Sequence, residues 1–272
     1  MSVYLYCLAT PKCLTESSGL FADDQYGIDE RHPVEMAQNG DIVAVIGTVD
    51  LDDFSEENLQ SVEWVGPRAQ RHEAIVEKVM SVSTVLPVKF GAIFASVATL
   101  NEFMLTHHRV IADALDDLAD KAEYSVKVFL DEDVGQKAVA LNDPAIQSKL
   151  ETLSSSPGVR YMQQIKVDAM IKSSLGFWIE DQLQNVAEVM DKHCESSKVL
   201  RCHSNKVTGR SDQMVFNNCY LLPPDMLKDF RDTLADLEDT LHNTGLKFEL
   251  QGPWPPYNFC PPLSIVDEIR NL

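Results

Sequence analysis

The chain opens with alternating apolar and polar positions at residues 2–8, and residues 41–49 are apolar on both faces, the pattern of a covered central strand. Between them a stretch rich in Ser, Gly and Asp, running through Gln38, reads as a long loop. Residues 51–59 are acidic and suit a short helix or loop. The period then changes. Ile75, Val76, Val79 and Met80 recur at helical spacing, which predicts an amphipathic helix over 67–81. Residues 85–94 return to strand character, with Pro87 confining them to a strand start or a sheet edge because it has no N–H to give. From 99 to 121 the row Leu100, Met104, His107, Ile111, Leu115 and Leu118 lies opposite Asp113, Asp116, Asp117 and Asp120. A single helix is predicted, its stripe on the sheet and its aspartates in water.

The second half repeats the grammar more cleanly. Residues 124–130 form a strand with Val126, Val128 and Leu130 on one side and Lys127 and Phe129 on the other. Asp143-Pro144 opens a helix with Pro in its first turn, and Ser154-Ser155-Ser156-Pro157-Gly158 breaks the chain before a long helix over 162–193, giving a helical hairpin. Strands 198–207 and 213–222 flank Thr208-Gly209-Arg210-Ser211, a hairpin turn. A helix over 224–243 carries Leu227, Phe230, Leu234, Leu237 and Leu241, has Asp225 in its first turn, and stops at Gly245. A strand over 246–250 follows. The order β-α-β-β-α-β is the split βαβ, ferredoxin-like pattern, its first crossover enlarged by an extra helix. The expected class is α+β: an N-terminal α/β domain over 1–121, a ferredoxin-like domain with a helical insertion over 122–251, and a Pro/aromatic tail over 252–272 that packs on the body.

With 272 residues, 44% of them hydrophobic, the chain can bury a sizeable core, and at roughly 100–200 residues per domain it favours two domains. The formal net charge is −19, from 42 acidic and 23 basic residues. Neutralising phosphate takes clustered Lys and Arg, so this balance argues against nucleic acid or an anionic membrane surface as the main partner. Acidic surfaces also suit salt-rich habitats; six cysteines and a charged fraction of 24% argue the other way, and the habitat stays open. Residues 1–9 lack the basic start of a secretory signal, and no run approaches the roughly 20 apolar residues of a membrane span. A cytoplasmic location is expected.

Candidate chemistry is sparse. No glycine-rich phosphate loop and no Gly-x-Ser-x-Gly elbow is present, so neither nucleotide binding nor acyl transfer is supported. The six cysteines have no paired spacing and read as core fillers. His193-Cys194 and Cys202-His203 are adjacent pairs whose side chains diverge, which disfavours a shared metal. The same holds for His107-His108, where a partly buried structural His107 is expected. His72-Glu73 looks like an acid/base pair but fits packing at least as well. Lys89 suits an edge lysine that discourages strand pairing. No catalytic residue, cofactor or metal is implied.

Two strings stand apart. Gly252-Pro253-Trp254-Pro255-Pro256-Tyr257-Asn258-Phe259 is a proline-stiffened segment whose Trp254, Tyr257 and Phe259 can only pack sideways, an aromatic clasp anchored to the preceding strand. Burial against their own domain is expected. Val85-Leu86-Pro87-Val88-Lys89-Phe90-Gly91-Ala92-Ile93-Phe94 is the other, preceded by the helix that carries His72 and Glu73. Together these strings resemble the gas vesicle protein family GvpL/GvpF, with its early His-Glu helix, Leu-Pro-x-x-Phe-Gly strand and terminal Gly-Pro-Trp-Pro-Pro-Tyr-x-Phe; Val3-Tyr4-Leu5-Tyr6 and residues 41–46 extend the likeness. The resemblance implies the same two-domain arrangement and a non-enzymatic accessory protein of vesicle formation. Its implied partners are the small hydrophobic shell protein and other vesicle proteins, in the cytoplasm and at the gas vesicle. Two alternatives stand beside it: an enzyme or small-ligand-binding protein on a ferredoxin-like domain, and a scaffold that pairs edge strands between copies. The oligomeric state is open.

Overall fold

β1 (Ser2–Ala9) is buried along its whole length and lies inside its sheet, with strands on both sides. A computed structural model describes residues 1–16, 21 and 26–263. Its contacts fall into two units, one made of Met1–Glu123 and the chain from Pro253 onward, the other of Tyr124–Gly252. In the first unit α1 (Lys12–Glu16), β2 (Val34–Asn39), β3 (Ile42–Val49), α2 (Glu56–Gln60), α3 (Val62–Met80), β4 (Val85–Pro87), β5 (Ile93–Phe94), α4 (Val97–Thr106) and α5 (His108–Asp117) follow β1. The sheet order is β2-β3-β1-β4, with β5 also on β1. β1 and β3 run antiparallel from Ser2 opposite Val49 to Ala9 opposite Val43, with a register shift between Leu5 and Cys7. Tyr4, Tyr6, Cys7, Val43, Val45, Ile75, Val76 and Val79 form the core between sheet and α3.

Four expectations need correction here. The predicted loop holds α1 and β2, and β2 pairs β3 through the two residues Gly40 and Asp41. Gly40, at φ +62°, supplies the backbone that so tight a turn needs. α3 starts at Val62, not 67, because the Ser61 hydroxyl accepts from the Trp64 N–H, and Pro67 lies inside it. The strand over 85–94 is two short strands, since residues 89–91 form a turn that serves the site below, while Val88 N–H and Ala92 O still bond β1. The helix over 99–121 is two helices, Val97–Thr106 and His108–Asp117, that meet at His107, where the backbone geometry changes (φ −104°). Its bonds continue across the change, His107 N–H to Phe103 O and Ile111 N–H to His107 O, both 3.0 Å, so the apolar stripe keeps phase and the break leaves no periodic trace. Leu100, Met104, Ile111, Leu115 and Leu118 are buried, and Asp113, Asp116, Asp117 and Asp120 exposed, as expected.

The second unit comprises β6 (Ala122–Leu130, shared at its start with the first), α6 (Glu132–Asn142), α7 (Pro144–Glu151), α8 (Pro157–Met190), β7 (Ser196–Val199), α9 (Asn205–Thr208), β8 (Gln213–Leu222), α10 (Leu227–Thr240) and β9 (Leu246–Trp254). The sheet order is β7-β8-β6-β9. Asp143 caps α7 by accepting from the Ala145 and Ile146 N–H groups, with Pro144 at the first position. Ile146, Val167 and Ile171 give α7 and α8 a small core of their own. α10 runs from Leu227 to Thr240 and not over 224–243, so Asp225 precedes its first turn; Leu241 caps it, and the turn that follows passes through Gly245 (φ +87°), where an added Cβ would lie 2.6 Å from Asp131 O and 2.8 Å from Gly135 N.

Here too boundaries shift. α8 begins at Pro157 and ends at Met190, where a 3-10 turn carries the chain to His193. The predicted hairpin is the larger error: β7 has four residues, and Gly209 caps the single turn α9 instead of joining two strands. Arg210 is the reason. Its guanidinium stacks 4.0 Å over the Phe129 ring and pairs with Glu249, which draws the would-be turn onto the sheet. β9 runs on to Trp254, so the start of the proline string is strand.

Candidate functional site

His72 is 2% exposed, on the face of α3 that meets β1. Its Nε2 lies 2.9 Å from the carbonyl of Val88, which can only accept, so the proton sits there; Nδ1 then takes the hydroxyl hydrogen of Tyr4 at 2.9 Å. Tyr4 Oη in turn accepts from the Gly91 N–H at 3.0 Å. The ring of Phe90 stands 6.1 Å from that of His72 and 6.0 Å from that of Tyr4. One imidazole thus ties helix, strand and the 88–91 turn together. Burial holds His72 neutral, its pKa lowered to about 4, with the Val88 carbonyl opposing. Burial likewise pushes the Tyr4 phenol far up.

The proline string reaches the same neighbourhood. Pro255 and Pro256 are buried, and Pro256 (φ −79°, ψ 55°) makes an inverse γ-turn closed by Tyr257 N–H to Pro255 O at 2.8 Å. Glu123, only 6% exposed, accepts from the Asn258 backbone N–H at 3.0 Å and from its side-chain amide at 2.6 Å. The Cys260 thiol lies 3.6 Å from the Pro87 carbonyl, so the tail touches the Leu-Pro string directly. Tyr257 faces Glu73. Burial raises the Glu73 carboxyl above its ordinary range; the Tyr257 phenol pulls it back, and Glu77 and Glu123 push it up again. Tyr257 and Phe259 are half-buried, whereas Trp254 is exposed, contrary to the burial expected of all three.

His72, Glu73, Pro87, Phe90, Gly91, Pro255, Pro256, Tyr257 and Phe259 therefore gather in the first unit, far apart in sequence and joined by a few polar contacts. Pro253 and Lys89 are exposed, and Gly252 ends the second unit. Sequence reasoning missed Tyr4, Glu123 and Asn258. Glu123 was findable, as an acid at the head of a mostly apolar strand; Asn258 was not, because half of its role belongs to its backbone.

The remaining candidates lie apart. His107 packs its ring on Phe103 at 4.7 Å, and His108 Nε2 meets Asp41 Oδ1 at 2.6 Å on the surface. Cys7, Cys13 and Cys219 are buried, Cys202 is exposed, and the Cys194 thiol donates to Asp191 O. Among the described residues no three His, Cys, Asp or Glu side chains gather as a metal would need, and no helix is long and apolar enough to cross a membrane. On α8 Tyr161, Met162, Ile165 and Phe177 are exposed, Phe177 with 72% of its surface in water.

The sequence model of the family described as gas vesicle synthesis protein GvpL/GvpF matches residues 2–261. A gas vesicle protein L of Streptomyces sp. is 24% identical over 263 residues, 94% of this chain and 92% of that protein. A gas vesicle protein F of Haloferax mediterranei is 24% identical over 243 residues, 86% and 91% of the respective chains. The crystal structure of gas vesicle protein GvpF from Anabaena sp. PCC7120 is similar in fold, with a TM-score of 0.69 at 17% identity over 96% of this chain and 98% of that one. GvpF from Microcystis aeruginosa gives 0.64, also at 17%, over 96% and 99%.

Proposed function

Because the chain belongs to the GvpL/GvpF family of gas vesicle synthesis proteins and serves gas vesicle formation, we propose that it does so without catalysis, as an accessory factor that contacts the hydrophobic shell protein and other vesicle proteins. The observation that carries this is the row of exposed apolar side chains on α8. Met162 and Ile165 are three residues apart and share a face; Tyr161 and Phe177 flank it. On a chain of net charge −19 such a row is a place for an apolar client, while the acidic remainder keeps the protein dispersed. Its place of work is the cytoplasm and the growing vesicle.

The signature residues fit a scaffold role. Both nitrogens of His72 are engaged, which argues against acid/base work and so against the enzyme alternative. Pro87, Lys89, Phe90, Gly91 and the string from Pro253 through Phe259 shape the first unit, with exposed Trp254 and Lys89 as its candidate contact points, and Gly252 closes the second unit ahead of that string. We read the second unit as ferredoxin-like, which the strand order β7-β8-β6-β9 supports, and the chain as an α/β domain over 1–121, that domain over 122–251, and a clasping tail.

The test is made in a vesicle-forming host whose own copy is deleted. Reintroducing Met162→Glu with Ile165→Glu is expected to abolish co-purification with the shell protein and to impair flotation, while the purified variant melts like the parent because both side chains already face water. A deletion strain that floats normally refutes the role.

A further inference from the structure

We infer that the free edge of β7 is a second docking surface, which takes an extended acidic segment of a partner protein by strand addition. β7 ends the sheet order, so among the described residues one of its sides has no neighbouring strand in that sheet. In its antiparallel register with β8, Val199 stands opposite Asn218 and Lys198 opposite Cys219. The Leu200 N–H bonds Asn217 O at 2.8 Å, which makes 200 and 217 a hydrogen-bonded pair. Pairs alternate in such a ladder, so Ser196, Lys198 and Leu200 point their backbone groups at β8, whereas Ser197 and Val199 point theirs outward. The strand is open to solvent, and Val199 keeps 82% of its surface.

Charge selects the occupant. From Ser196 to Arg210 the chain carries Lys198, Arg201, Lys206 and Arg210, with His203 and no Asp or Glu, in a protein where acids outnumber bases 42 to 23. Arg210 pairs with Glu249, Arg201 and Lys206 are exposed, and Val207 keeps 70% of its surface. Arg201 and Lys206, just past this edge, disfavour a basic segment and favour an acidic one. The outward N–H and C=O of Val199 and Ser197 call for a peptide backbone, which neither a nucleic acid nor a lipid headgroup supplies. The expected partner is an extended segment alternating acidic and β-branched residues. This surface is independent of the α8 row, and its test involves no vesicle component.

A fluorescein-labelled short peptide of alternating Glu and Val is titrated with the full chain and followed by anisotropy. Binding is expected at low salt, weakening as salt screens the charges. Val199→Pro removes an outward donor and no bond to β8, and is expected to weaken binding about tenfold. Arg201→Glu with Lys206→Glu is expected to do the same. A peptide N-methylated at alternate amides, tested on the unaltered chain, is expected not to bind, which keeps the test valid if the proline variant misfolds. Equal binding of the N-methylated peptide, absence of binding at low salt, or equal binding of duplex DNA or phosphatidylserine vesicles each overturns the proposal.

Discussion

At the residue scale the centre of the first unit is a neutral histidine with no spare nitrogen. His72→Phe keeps the volume but strands the Tyr4 hydroxyl and the Val88 carbonyl, so urea unfolding should register a loss of about 2–4 kcal/mol. The pH dependence has a definite sign. Folded His72 titrates near 4 and the unfolded chain near 6.5, so between these values only the unfolded state takes the proton. Stability is therefore full above pH 6.5 and falls as pH drops towards 4, by roughly 3 kcal/mol from this group, and His72→Phe should flatten that slope in unfolding curves collected across the window. Glu73 has the opposite sign. Its folded pKa is raised above the ordinary 4.5, first by burial, so its contribution is present below 4.5 and lost as pH rises through the raised value. Glu73→Gln should then melt higher than the parent at neutral pH and level with it in acid; a lower neutral melting point would mean that the carboxylate is needed. The His-Glu pair was visible in the sequence. Its partners Tyr4, Val88 and Tyr257 were not, since they come from three other segments.

At the element scale the second unit turns on Gly245. The left-handed backbone already disfavours a side chain, and Asp131 O and Gly135 N leave no room for one. Gly245→Ala should cost about 2 kcal/mol or more by denaturant titration; a near-neutral result would show that the approach of α6 can relax. Elements with strong periodicity, such as α3, α10 and the stripe shared by α4 and α5, were legible because burial of one face writes the pattern. The misplaced hairpin was not: Thr208-Gly209-Arg210-Ser211 has turn chemistry in any context, and only Phe129 and Glu249 decide that Arg210 folds inward. β2 was legible and overlooked, its signal being Asn39-Gly40 ahead of an apolar run.

At the scale of the whole molecule the chain crosses from the first unit to the second within β6 and returns within β9, strands that are neighbours in one sheet. The tail thus completes the N-terminal unit although it follows the other in sequence. A chain ending at Gly252 should lose hydrogen-exchange protection in α3, where Glu73 loses Tyr257, while β8 amides keep theirs; the reverse pattern would place the tail's contribution in the wrong unit. Taken alone, the order of strands and helices gave the mixed α and β class, the acidic balance set the charge, and two distinctive strings carried the resemblance to the family, because periodicity, composition and local motifs are properties of neighbouring residues. What brought those strings to one place, left Trp254 outside, and gave Glu123 to Asn258 was the packing of distant segments. Buried polar groups must find partners wherever the fold supplies them, and no local pattern records which partner that will be.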